Sequence, residues 1–173
     1  MKKTVIFFIF IILLSGCTDL SSSQLDFREA ESIITAALSM NYSDTSTVEA
    51  DIFGFATEGT RILGTFDKSG ELVKLETWSY GSIGKNEKVY HFVDDSIYIT
   101  ETLYRYEVPI SLEYDVIISE TTHFEYVFTT EAMFTLDRVQ KILLQMDNER
   151  YEFTVEFLGA CREELSSVGV IFD

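Results

Sequence analysis

The sequence predicts an α+β domain: an antiparallel β-meander of about six to eight strands with an N-terminal and a C-terminal amphipathic helix. Three observations carry that prediction. Apolar residues recur at spacings of three and four from Phe27 to Leu38, and again from Phe153 to Leu165. Between about Val48 and Gln145 the pattern changes to short alternating runs. Clusters of Gly, Asp, Asn and Ser separate those runs, and each cluster has the chemistry of a tight turn.

The first helix opens on Ser23-Gln-Leu-Asp26, an S-x-x-D form in which a serine caps backbone N–H groups and an acid sits at the positive dipole end. Phe27, Ala30, Ile33, Ile34, Ala37 and Leu38 then share one face, and Arg28, Glu29, Glu31, Ser32 and Thr35 fill the other. The helix ends near Met40, and Asn41 to Thr47 reads as loop. Strands follow from about Val48. Ile62 to Phe66 and Glu71 to Tyr80 flank Asp67-Lys-Ser-Gly70, a turn with glycine where positive φ is needed. Gly81 to Asn86 turns into a strand from Lys88 to Val93, and Asp94-Asp95-Ser96 turns into a longer one from Ile97 to Tyr106, closed by Pro109. Tyr114 to Ile118 and His123 to Thr129 continue the meander with Ser119 to Thr122 as a turn between them. Phe134-Thr135 and Gln140 to Gln145 form a last hairpin.

The C-terminal stretch has two readings. Tyr151, Phe153, Val155 and Phe157 alternate with polar residues as a strand does, yet Phe153, Phe157, Leu158, Cys161 and Leu165 share one helical face. The longer pattern favours a helix over about Glu149 to Ser166, although Gly159 costs it about 1 kcal/mol.

Charge and cysteine usage narrow the function. The chain has 29 acidic residues against 13 basic ones. Its negative field repels phosphate backbones and anionic lipid surfaces, which argues against nucleic-acid binding. The acidity suits a soluble surface, a docking face for a basic partner protein, or a loose divalent-cation site. Of the chemical motifs, none is complete. His91 and His123 fall in strands without an HExxH or CxxC set, although His123 and Glu125 share a strand face. Ser82-Ile-Gly-Lys85 has the S-x-x-K spacing of serine acylases but lies in a Gly-rich turn of a small domain. Gly84-Lys85 lacks the rest of a phosphate loop, and Asp67 to Glu71 lacks the alternating oxygen ligands of a calcium loop. No catalytic, cofactor or metal residue is assigned, and a non-enzymatic role is expected.

The aromatic residues suggest a surface. Tyr98, Tyr104 and Tyr106 share one face of the longest strand, whereas Ile97, Ile99 and Leu103 point the other way, and Phe124, Tyr126 and Phe128 repeat the arrangement. Either one face packs under both helices while the tyrosine side stays half-exposed with wet hydroxyls, or the tyrosines form a candidate binding face.

The N-terminus carries a resemblance. Lys2 and Lys3 precede ten unbroken apolar residues, Val5 to Leu14, and the segment ends Leu14-Ser15-Gly16-Cys17. This is a secretory signal too short to span a bilayer permanently, and its ending resembles a bacterial lipobox. The resemblance implies cleavage between Gly16 and Cys17, a diacylglyceryl group on the Cys17 thiol, and a further acyl chain, palmitate for instance, on the new amino group. Two or more chains hold a protein where one holds only marginally. Cleavage leaves 157 residues in which 29 acids face 11 bases, a net charge of −18. It also leaves Cys161 alone, so the domain has no internal disulfide and Cys161 reads as a buried small hydrophobe. Residues 17–23 then form the lipidated terminus and a short polar tether, and 24–173 a single globular domain. Thr18, rather than Asp, follows the cysteine, which in two-membrane bacteria favours sorting to the outer membrane.

A second resemblance rests on Thr57-Glu-Gly59, Phe66-Asp-Lys-Ser-Gly-Glu-Leu72, Tyr80-Gly81, Gly84-Lys85, Tyr90-His-Phe-Val-Asp94 and Tyr106-Glu-Val-Pro-Ile110. Their order is similar to that in small uncharacterised bacterial lipoproteins, which implies a meander with flanking helices and no established activity. The expectation is a protein of the bacterial envelope, lipid-anchored to the outer face of the plasma membrane or to the outer membrane. It would bind a partner, such as a basic protein, through an acidic or tyrosine-rich surface. The alternatives are a carrier of an apolar ligand or lipid, with a cavity lined by Phe and Ile, and an enzyme with a cryptic carboxylate site.

Overall fold

A computed structural model of the chain describes residues 25–109 and 116–168. The expected signal peptide (1–16), the expected cleavage and lipidation site at Gly16–Cys17, the expected tether, Ser23 and Tyr114 lie outside the described residues.

Asp26 caps the first helix, α1 (Phe27–Ser39). Its carboxylate accepts from the Glu29 N–H at 2.8 Å, and the Glu29 carboxylate accepts from the Asp26 N–H at 3.0 Å. The expected acid at the helix start is therefore the cap itself, and its reciprocal partner lies three residues on. Ala30, Ile34 and Ala37 are the buried stripe, and Leu38, at its margin, is exposed.

Eight strands follow in an unbroken antiparallel meander: β1 (Ser46–Ile52), β2 (Thr60–Phe66), β3 (Leu72–Gly81), β4 (Gly84–Val93), β5 (Ser96–Tyr106), β6 (Ile118–Phe128), β7 (Met133–Asp137) and β8 (Ile142–Gln145). Spatial order equals chain order, so β1 and β8 are the sheet edges. The Asp67–Gly70 turn forms as expected, with Gly70 at φ +86° and the Asp67 carboxylate accepting from the N–H groups of Ser69 and Glu71. Two expectations are corrected. β4 begins at Gly84 rather than Lys88, because Ser82 and Ile83 alone make the turn and Gly84 pairs directly with Gly81. Ser119 to Thr122 is not a turn, since β6 runs through it. Its composition is turn-like, but Thr121 and Thr122 face Tyr104 and Leu103 across the ladder, and the Ser119 hydroxyl donates to the Arg105 carbonyl.

The C-terminal segment is helical, α2 (Asn148–Val168). Phe157, Leu158, Cys161 and Leu165 bury one stripe of it, and this stripe outweighs the short alternation before it. The helices take opposite faces of the sheet, so the expectation of one face under both is wrong. Strand residues alternate between the two. Tyr98 and Val127 point to α1, and their neighbours Ile97, Ile99, Tyr126 and Phe128 point to α2.

Candidate functional site

α2 does not lie evenly on its face of the sheet. Its C-terminal half sits tight: Leu165 is fully buried, and a Cβ on Gly64 of β2 would come within 2.7 Å of its Cδ1. Glycine at position 64 is what admits the helix this closely. Its N-terminal half rests on aromatic rings instead. Phe157 stacks on Tyr90 of β4 at 6.2 Å between centroids, and Phe55 of the β1–β2 connection meets Phe157 and Phe153 edge-on at 5.2 and 5.9 Å. Tyr151 and Thr154 of this half touch the sheet at Phe128 and Met133, while Phe153 and Phe157, with Phe55, face the inward residues of β3 and β4 across an opening. The wedge between them is an open cleft of about 700 Å³.

The cleft has two kinds of wall. Phe55, Ile83, Leu103, Phe153 and Phe157 supply the apolar one. The inward residues of β3, β4 and β6 supply Thr77, Ser79, Asn86, Lys88 and Thr122. Behind Asn86 and Lys88 lies Glu101, only 3% exposed. One carboxylate oxygen accepts from Asn86 Nδ2 at 2.7 Å and lies 3.3 Å from Lys88 Nζ. The other accepts from the Tyr126 hydroxyl at 2.7 Å and from Arg150 of α2 at 3.0 Å. Burial alone would raise the Glu101 pKa and is the largest single influence. Lys88, Tyr126, Asn86 and Arg150 together outweigh it and hold the carboxyl below its ordinary value. The Asn86 side-chain oxygen is buried and has no partner.

The anticipated tyrosine face is dispersed. Tyr98 is 2% exposed beneath α1, stacked on His91, with its hydroxyl donating to the Glu125 carboxylate. Burial, with Glu125 adding, pushes its phenol up to about 12. Tyr106 is buried as well. Tyr104 is half-buried, its hydroxyl donating to Glu87 at 3.0 Å and its ring beneath Lys85 Nζ at 4.4 Å. The three do not make a continuous exposed platform.

The remaining candidates are engaged elsewhere. His91 Nδ1 is 2.8 Å from the Tyr42 hydroxyl, and burial, with Lys74 adding, lowers its pKa. His123 bonds Thr102, while Glu125 is taken by Arg138, which holds that carboxyl below its ordinary value. The Lys85 ammonium of the S-x-x-K spacing is bound to Glu87. Cys161 is fully buried, which pushes its thiol up to about 12 and leaves it a small hydrophobe. Among the described residues no helix is long and apolar enough to cross a membrane.

Sequence reasoning missed Glu101, Asn86, Lys88 and Arg150. A signal for Glu101 was available. It follows Ile97 and Ile99 at the strand period and precedes Leu103, so it is a carboxylate on the apolar side of the longest strand. Its partners on β4, β6 and α2 are invisible without the register. No family model matches the chain, and neither a curated protein nor a solved structure does.

Proposed function

We propose that this chain is a lipid-anchored envelope protein, without enzymatic activity, that carries an apolar ligand in the cleft between α2 and the sheet. The observation that supports this reading is the cleft itself, about 700 Å³, with three phenylalanines on one wall. That volume falls within the range of small-molecule sites, which are mostly apolar with a few placed polar groups. Anchoring rests on the lipobox at Leu14–Cys17 and is tested apart: Cys17→Ala abolishes incorporation of labelled fatty acid and releases the chain from membranes.

The carrier reading is tested by purifying the full chain from its own membranes and extracting it for lipid mass spectrometry. Wild type retains an amphiphile near one equivalent, and Leu103→Trp, which fills the cleft from its β5 wall, loses it. Equal retention by the two proteins would count against the reading.

Docking of a basic partner is the second reading, supported by where the acids gather. The β2–β3 turn (Asp67, Glu71), the β4–β5 turn (Asp94, Asp95) and the β6–β7 turn (Glu131) all stand at the sheet end opposite the cleft mouth. It predicts capture of a basic protein at low salt that fails at moderate salt. Capture indifferent to salt would exclude it.

A further inference from the structure

Resting on the carrier reading, we propose that the cleft takes a single-chain amphiphile with an anionic head group, its alkyl chain against the phenylalanines and its head at Lys88. Charge is the first reason. Acids outnumber bases 29 to 13 in the chain, yet the lining of the cleft holds Lys85, Lys88 and Arg105 against one acid, Glu120. Lys88 and Arg150 converge on Glu101, two cations on one carboxylate. The sum there is one positive charge in a strongly negative protein.

The second reason is how the donors are distributed. One Glu101 oxygen accepts from Asn86 and the other from Tyr126 and Arg150, whereas Lys88 makes an ion-pair contact at 3.3 Å, the longest of the four. Lys88 and Arg150 both hold Glu101 ionised, and together they bring one positive charge more than the carboxylate neutralises. Lys88 lines the cleft, and an ammonium has three donors. An anion arriving there pairs with it away from bulk water, where a charge-assisted bond is strongest.

The third reason is Asn86. Its amide nitrogen is committed to Glu101, and its side-chain oxygen is buried and unpartnered on the same wall. A head-group hydroxyl, or a water brought in by the head, supplies the missing donor. A neutral hydrocarbon would leave both this oxygen and the Lys88 ammonium against apolar surface, and a cationic head would face Lys88 directly. The cleft volume gives room for one alkyl chain and its head. The carboxylate of a free fatty acid and the phosphate of a monoacyl lipid share this chemistry.

The test is photo-crosslinking of the full chain in its own membranes with a diazirine-bearing sixteen-carbon fatty acid, mapped by peptide mass spectrometry. Palmitic acid, methyl palmitate and monoacyl phosphatidate compete at equal mole fraction in the membrane. Labels are expected on the peptides holding Leu103 and Phe153–Phe157. The acid should compete about tenfold better than its ester, the worth of one charge-assisted bond. Lys88→Met should bring acid and ester within twofold, and Lys88→Arg should restore the preference. Continued protection of Cys161 from alkylation certifies that each variant is folded. Whichever anion competes better identifies the head, and either order supports the class. Cleft labelling with acid and ester equal in wild type overturns the anionic head and leaves the carrier reading standing. Absence of cleft labelling, or cleft labelling that no competitor diminishes, overturns both.

Discussion

The two helices meet the same sheet in different ways. α1 presents alanines: Ala30 and Ala37 are buried with Ile34 against Tyr98 and Val127, and the opening of about 740 Å³ beside them is lined by Glu29, Ser32, Ile33, Thr130 and Phe134. α2 presents large side chains over a longer path. It seats closely where Leu165 finds Gly64, keeps Tyr151 and Thr154 on the sheet at its other end, and borders the open cleft where Phe153 and Phe157 meet Phe55 and Tyr90. On the α1 side the buried polar groups are closed into Tyr98–Glu125–Arg138. On the α2 side two buried groups lack a partner, the Ser46 hydroxyl and, beside the cleft, the Asn86 oxygen. Both faces thus carry an opening, and the one beside α2 has the phenylalanine wall and the unpartnered amide oxygen that suit an amphiphile.

The largest expected effect comes from the tight seat. Leu165→Ala removes a fully buried side chain from a site that glycine already makes close, and should cost about 3–4 kcal/mol in urea unfolding. The Cys161 thiol reports the same event. Burial pushes it up to about 12, so it alkylates only when α2 leaves the sheet, and labelling should accelerate by roughly several hundred-fold in the variant. A cost below about 1 kcal/mol would show that α2 is not anchored at this end.

Ala37→Leu tests the opposite face. Ala37 is buried against the sheet, and a larger side chain there must push α1 outward, at about 2 kcal/mol. The cleft lies across the sheet, so ligand retention should not change. A loss of ligand in this variant would mean that the two faces are coupled.

Glu101→Gln ranks next, at about 1–2 kcal/mol at neutral pH, since the amide keeps an acceptor for Tyr126 but no charge for Arg150 and Lys88. Both cations keep contact with water, which holds the effect below that of breaking a fully buried pair. The sign with pH follows from the lowered carboxyl. Its ordinary value is 4.5, so its contribution is complete above that and is lost as pH falls through the lower folded value. The gap between wild type and variant in chemical denaturation should therefore be widest near pH 7 and close under acid. A gap that grew on acidification would reverse the assignment.

The meander was legible because its turns are chemically explicit. Asp67–Gly70 and Asp94-Asp95 punctuate alternating runs, and the stripe of α1 is short and unambiguous. The helix at the C-terminus was legible only through its length, since Tyr151 to Phe157 alternates as a strand does. What escaped was everything set by pairing across the chain. Ser119 to Thr122 looks like a turn until β5 supplies its partners, and Tyr98 looks exposed until α1 takes the face that carries it. The polar end of the cleft draws on four elements, β4, β5, β6 and α2, and its members lie up to 49 residues from Glu101. Local pattern has no access to such a site, although a carboxylate on an apolar strand face marks where to look.

The smallest expected effect on stability is the most informative about the wedge. Phe153 is 47% exposed, with its ring against Phe55 and Phe157 at the cleft wall. Phe153→Ala gives up little burial and should cost less than about 1 kcal/mol. Its influence on the cleft runs the other way, because the ring supplies apolar surface that a bound chain would cover. Retention of ligand should fall several-fold while the unfolding midpoint hardly moves, the reverse of the pattern for Ala37→Leu. A receptive face is recognised by this separation: its residues carry little of the fold and most of the binding. Should Phe153→Ala destabilise the chain as much as Leu165→Ala does, the rings would be core and the wedge an accident of packing.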